Sequence, residues 1–146
     1  MNEQIVVRGT PRVLEANGAA ITNNAIGQAD DATYDTTTHG GGFPHIEFVA
    51  SMTFTVAPLV NSVIEVVARA LDIDGTNDAP VPTATYRNRK VGFLVVKDVT
   101  TLQTLTCLCE RVPKLAEYYL YNNATGQTIP ATWTATVTPL TYKPAP

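Results

Sequence analysis

Thr132-Trp133-Thr134-Ala135-Thr136-Val137-Thr138, inside a strand predicted over Ala131 to Thr138, decides the reading of the fold. One face of this run takes the chain's only tryptophan, a small residue and a β-branched one, while the other takes nothing but threonine. Period-two alternation of side chains suited to a pleated surface describes a half-buried strand. Upstream, His45 to Val56 (HIEFVASMTFTV) is the longest clean alternation in the chain. Ile46, Phe48, Ala50, Met52, Phe54 and Val56 share one face, and the other is polar except for Val49, which predicts a long strand buried on one side.

Further strands are predicted over Val91–Val96, Leu102–Val112 and Glu117–Asn122. Leu59 to Ile73 is ambiguous, because Val60, Val63, Ile64, Val67, Ala70 and Leu71 also sit at helical spacing. Its β-branched density and the turn residues at both ends (Pro58, then Asp72 to Gly75) favour a strand. Arg12–Ala16 and Ala19–Ile21 flank Asn17-Gly18, a hairpin signal. Asn23 to Asp31 reads as a polar loop, and Asp35 to Gly42 as a surface loop, since consecutive glycines carry too much backbone freedom for a regular element. A phosphate cradle is excluded there, because no Gly-Lys-Ser/Thr follows the glycines.

About eight strands with no alternating helices predict an all-β fold, an antiparallel sandwich or barrel. Long crossings at 35–43 and 72–84 suit a Greek-key topology, with a jelly-roll-like sandwich preferred. An immunoglobulin-like sandwich ranks second, for want of the Cys…Trp…Cys spacing. The expected organisation is an extended N-terminal arm over 1–11, a single β-sandwich domain over 12–140 and a C-terminal tail over 141–146. Tyr142-Lys143-Pro144-Ala145-Pro146 is a poor ladder candidate because proline lacks the donor.

At 146 residues the chain is one domain by size, and its 16% of charged residues is well below the usual quarter. A net charge of −3 argues against a nucleic-acid partner, which would demand a basic patch. Arg87, Arg89 and Lys90, the one tight basic group, read as a solvated face beside a turn. No apolar run reaches membrane-spanning length and no secretory signal is visible, so a soluble protein made in a cytoplasm, with no membrane partner, is expected. Cys107 and Cys109, two apart, would share a strand face as small buried hydrophobes. Without a second pair or a histidine they make a poor closed zinc site.

No catalytic, cofactor-binding or metal residue is assigned, and no enzyme activity is expected. Asp72, Asp74 and Asp78 form an oxygen-rich run of the kind calcium takes, but EF-hand glycine and glutamate positions are unmet and a plain turn explains the residues. His39 and His45 flank the glycines with no partner indicated. Glu47, Glu65, Glu110 and Glu117 offer carboxylate pairs only in the sense that any four strand glutamates do. Tyr118, Tyr119 and Tyr121, with Trp133, would provide either a sugar-stacking platform or a subunit contact, the latter preferred.

DIDGTNDAPVPTATYRNRKVGFLVV, Asp72 to Val96, and EYYLYNNATGQTIPATWTATVTPLTY, Glu117 to Tyr142, together resemble small structural proteins of tailed bacteriophages, of the head decoration or cement type. The resemblance lies in strand and turn patterns over the C-terminal half and transfers no site residues. It implies a virion protein on the capsid exterior that binds the major capsid protein and itself around local symmetry axes. The arm and tail would then reach across to neighbours. The competing expectation is a carbohydrate-binding or fibre/baseplate-type adhesion module.

Overall fold

The computed structural model describes residues 3–146. Nine strands form, and no helix is present among the described residues: β1 (Gln4–Arg8), β2 (Arg12–Gly18), β3 (Ile26–Asp35), β4 (His45–Met52), β5 (Val63–Ala70), β6 (Lys90–Val95), β7 (Gln103–Cys109), β8 (Leu115–Asn123) and β9 (Trp133–Pro144). One sheet runs β1-β9-β4-β7, with β2 also on β9; the other runs β3-β8-β5-β6. Every pairing is antiparallel, and the two sheets pack as a β-sandwich.

The alternation in β9 and β4 becomes burial directly. Trp133, Ala135 and Val137 face inward from β9, and Ile46, Phe48, Ala50 and Met52 from β4. They meet Tyr118 and Leu120 of β8 and Ile64 and Val66 of β5 across the sandwich, with the Phe48 and Tyr118 rings 5.9 Å apart. Burial of this kind contributes about 1.5–3 kcal/mol for each large apolar side chain. β4 stops at Met52, short of the expected Val56: Phe54 is still buried, but Val56 is exposed. The ambiguous segment is a strand, Val63–Ala70, lying centrally between β8 and β6.

Four expectations change. Asn17-Gly18 is no hairpin turn, since Gly18 lies in the ladder opposite Trp133. A Cβ there would stand 2.1 Å from the indole, so the glycine serves the close approach of that ring. Asn23–Asp31 is no loop throughout, because β3 begins at Ile26 and buries Ala29 and Tyr34. Its polar residues belong to an edge strand with an irregular register, as edge strands carry charge to resist stray pairing. The long 71–89 connection is no Greek-key crossing, because β5 and β6 are neighbours in one sheet.

The fourth concerns the termini. Gln4–Arg8, in the expected arm, pairs with Leu140–Pro144, the last residue of the expected domain and the first four of the expected tail, from Gln4↔Pro144 to Arg8↔Leu140. Met1 and Asn2 of that arm lie outside the described residues. Proline is accommodated in β9 by its position. The Pro139 carbonyl accepts from Gly9 N–H at 2.7 Å, and a residue's N and C=O point to the same side of a strand. The missing donor of Pro139 therefore faces the short link by which β1 runs on into β2 along the same edge of β9, and costs β4 no bond. Beyond Leu140, where β4 begins at His45, β1 and β9 continue as a two-stranded ribbon.

Candidate functional site

The outward face of the β3-β8-β5-β6 sheet holds a dense polar arrangement. Glu65, Val67 and Arg69 of β5 lie opposite Tyr121, Tyr119 and Glu117 of β8. The 71–89 connection folds back over them. Arg87 Nε donates to Glu65 Oε2 at 2.7 Å, and its guanidinium sits 3.7 Å from the centroid of the Tyr121 ring. Lys90 Nζ and Asn123 Nδ2 each stand 3.3 Å from the other Glu65 oxygen. Arg69 clamps the start of the same connection, donating to Ala79 O at 2.8 Å and to Glu117 at 3.0 Å. The Tyr119 hydroxyl donates to Glu117 at 2.9 Å, and burial, reinforced by that carboxylate, pushes its phenol up to about 12.

Tyr119 and Tyr121 thus point outward as alternation requires, yet they are only 5% and 7% exposed. Arg87 occupies the ring face a sugar would stack on. The basic group read as a solvated surface is in part this lid, since Arg87 is tied to a buried carboxylate. Between the connection and β5 a cleft of about 210 Å³ remains, lined by Val67, Ile73, Ala79, Pro80, Pro82 and Tyr86 among others. Arg69, Asn88 and Arg89 also line it, beside its aliphatic and proline walls.

The scattered candidates stay scattered. Glu65 and Glu117 share a face, but four residues of strand separate them, about 13 Å of rise. Each carboxylate is held by its own partners, Glu65 by Arg87 and Lys90, and Glu117 by Arg69 and Tyr119. Glu47 instead meets Arg8 at 2.6 Å, and Glu110 is exposed. His39 Nδ1 accepts from Asp35 N–H at 3.0 Å, and His45 Nδ1 from Arg111 N–H at 3.2 Å, so both imidazoles brace loops. Asp74 accepts from Thr76 N–H, Asn77 N–H and the Asn77 amide, which hold its carboxyl below the usual range, the side-chain bond contributing most. Asp78 accepts from Asp72 N–H. Those oxygens close a turn, and Asp72, Asp74 and Asp78 do not converge.

Sequence reasoning missed two features. Glu15, Asp30 and Asp31 bring carboxylate oxygens within 4.8 Å of one another where β2 passes β3. Glu15 is buried, accepting from Asn17 and Asp30 N–H groups, and Asp31 accepts from Ala16 N–H. These carboxylates stitch the two sheets together. Asn122, fully buried, donates to Ile21 O and Gln127 O and accepts from the Thr125 hydroxyl, tying two loops at one end of the sandwich. Period-two alternation, which places Asn122 on the face of Tyr118 and Leu120, is the signal that could have found it.

The two ends of the sandwich differ. Connections 19–25, 53–62, 96–102 and 124–132 lie at one end, where Lys97 and Asp98 are the only charged residues. Val56, Leu59, Val60 and Leu102 are exposed there, between 57% and 67%. The opposite end holds connections 9–11, 36–44, 71–89 and 110–114, with Asp72, Asp74, Asp78, Arg87, Arg89, Glu110, Arg111 and Lys114. Among known proteins, no family model, curated sequence or solved structure matches the chain.

Proposed function

We propose that this chain is a non-enzymatic structural protein of a phage virion, a decoration or cement protein that binds the outside of the capsid and bridges its subunits. The observation that carries the reading is the difference between the two ends. One end presents exposed aliphatic residues on loops almost free of charge, the composition of the buried centre of a protein interface. The other sets its exposed Ile73 and Val81 among charged residues. In this arrangement the apolar end rests on the major capsid protein, and the charged end faces outward. Neighbouring copies assemble around local symmetry axes, and the chain, made in the host cytoplasm, ends on the capsid exterior.

The strand pairing supports the jelly-roll form of the sandwich. Ladders β2·β9, β3·β8, β4·β7 and β5·β6 describe one long antiparallel ribbon rolled into two sheets. The carbohydrate-binding alternative draws no support from the tyrosines, whose outward pair is buried, Tyr121 under Arg87 and Tyr119 bonded to Glu117.

Mass spectrometry of purified particles tests the reading, with a copy number comparable to the major shell subunit expected. Undecorated shells should bind the purified protein, and Leu59→Asp with Leu102→Asp should abolish that binding while the chain still folds. Absence from particles, or shell binding indifferent to both substitutions, overturns the reading.

A further inference from the structure

We propose that Cys107 and Cys109 form an open two-thiolate site for a soft d10 divalent cation, zinc or its heavier congener cadmium. The site is independent of the capsid reading. Both side chains point inward from β7, an edge strand paired only with β4, and their Sγ atoms lie 3.8 Å apart.

That separation discriminates between two fates of a dithiol. Residues two apart on an extended strand have Cα atoms about 6.7 Å apart, at the far limit a disulfide spans. Oxidation would have to bend β7 out of its ladder, where Cys107 faces Phe48 and Cys109 faces Ile46. A metal asks for no such movement. Two sulfurs each about 2.3 Å from a tetrahedral zinc lie about 3.8 Å from one another, the distance already present.

The surroundings accommodate this chemistry. Gly92 of β6 faces the pair, and a Cβ there would stand 2.5 Å from the Cys107 sulfur and 3.0 Å from that of Cys109. Only glycine leaves room for both sulfurs. Cys109 is buried and Cys107 half-buried, so a cation enters from the Cys107 side.

Loading is balanced: each thiol loses its proton to solvent, two sulfur–metal bonds form, and two thiolates neutralise the divalent charge. No net charge is therefore buried. Among the described residues, no histidine or carboxylate joins the two sulfurs in a group of three or more. The remaining coordination positions belong to solvent, and the ion exchanges readily.

The test is titration of the reduced, folded protein with cadmium, followed by the ultraviolet thiolate-to-metal charge-transfer band and by proton release. The band should saturate at one cation per chain with two protons released. Cys107→Ser and Cys109→Ala should each remove it, and Gly92→Ala should weaken binding by about tenfold or more. Tryptophan fluorescence and near-ultraviolet circular dichroism establish that each variant is folded. The proposal is overturned by a band that survives either cysteine variant. It is equally overturned if the band appears only in denaturant, or never appears although both thiols remain free.

Discussion

Arg87→Met tests whether the 71–89 connection is held down by the buried carboxylate beneath it. Glu65 is 3% exposed, and its Oε2 accepts from Arg87 at 2.7 Å. Removing one partner of a buried ion pair costs about 3–5 kcal/mol, mostly as the penalty on the charge left behind. Lys90 and Asn123 remain within reach of the other oxygen, which places the cost at the low end, about 3 kcal/mol. Losing the cation over Tyr121 adds about 1 kcal/mol. A total of about 4 kcal/mol lowers the melting temperature of a chain this size by about 8–16 °C.

Urea unfolding followed by Trp133 fluorescence reads the effect cleanly, because that indole is the only one and is 1% exposed in the native state. Adding Glu65→Gln to Arg87→Met removes the stranded charge and should restore at least about half of the loss, a coupling that independent sites do not show. The reasoning fails if Arg87→Met costs less than about 1 kcal/mol. It fails equally if the double variant is as unstable as the sum of the two single ones.

Gly18→Ala drives a methyl into the Trp133 ring, whose Nε1 is anchored by donating to Ala19 O at 2.7 Å. A loss of about 1–3 kcal/mol with red-shifted native fluorescence is expected, and an unchanged urea midpoint would be contrary. Tyr34 and Tyr119 hold their phenols up to about 12 against an ordinary 10.0, burial being the larger cause in each, with Asp35 and Glu117 respectively adding to it. Below about pH 10 neither makes stability depend on pH. As pH rises from 10 toward 12 the unfolded chain loses protons the folded one keeps, so stability should fall by on the order of 2–3 kcal/mol per tyrosine. Urea midpoints across that range, with Tyr34→Phe and Tyr119→Phe flattening the decline, provide the measurement. Saturating calcium should leave the melting temperature unchanged, since the Asp74 and Asp78 oxygens already accept N–H groups of their own turn; a calcium-dependent rise would show that the turn opens to bind.

The elements legible in the sequence are those buried on one face. β9 and β4 alternate because one side meets the other sheet and the other meets solvent, and β5 was decided by its β-branched residues. What escaped was set by distant partners. Gly18 looks like a turn glycine until Trp133, more than a hundred residues later, lies across it. β3 looks like a loop because its edge position tolerates Asp30 and Asp31, one of which bonds back to β2. Tyr142–Pro144 looks like a tail because the strand that completes it lies at the opposite terminus. Arg87 looks like a surface charge until the connection that carries it turns back onto Glu65.

The difference between the two ends could not be read from any window of sequence, and topology explains why. From β2 onward each strand reverses the one before it, so successive connections fall alternately at one end and then the other. The charged 71–89 and 110–114 connections are interleaved along the chain with the neutral 53–62, 96–102 and 124–132 ones. Averaged along the sequence, the chain is merely poor in charge; rolled into two sheets, it is sorted. Ile73 and Val81 are exposed at the charged end too, but Val56, Leu59, Val60 and Leu102 lie where almost no charge accompanies them, which is the reason to look for a protein surface at that end before any other.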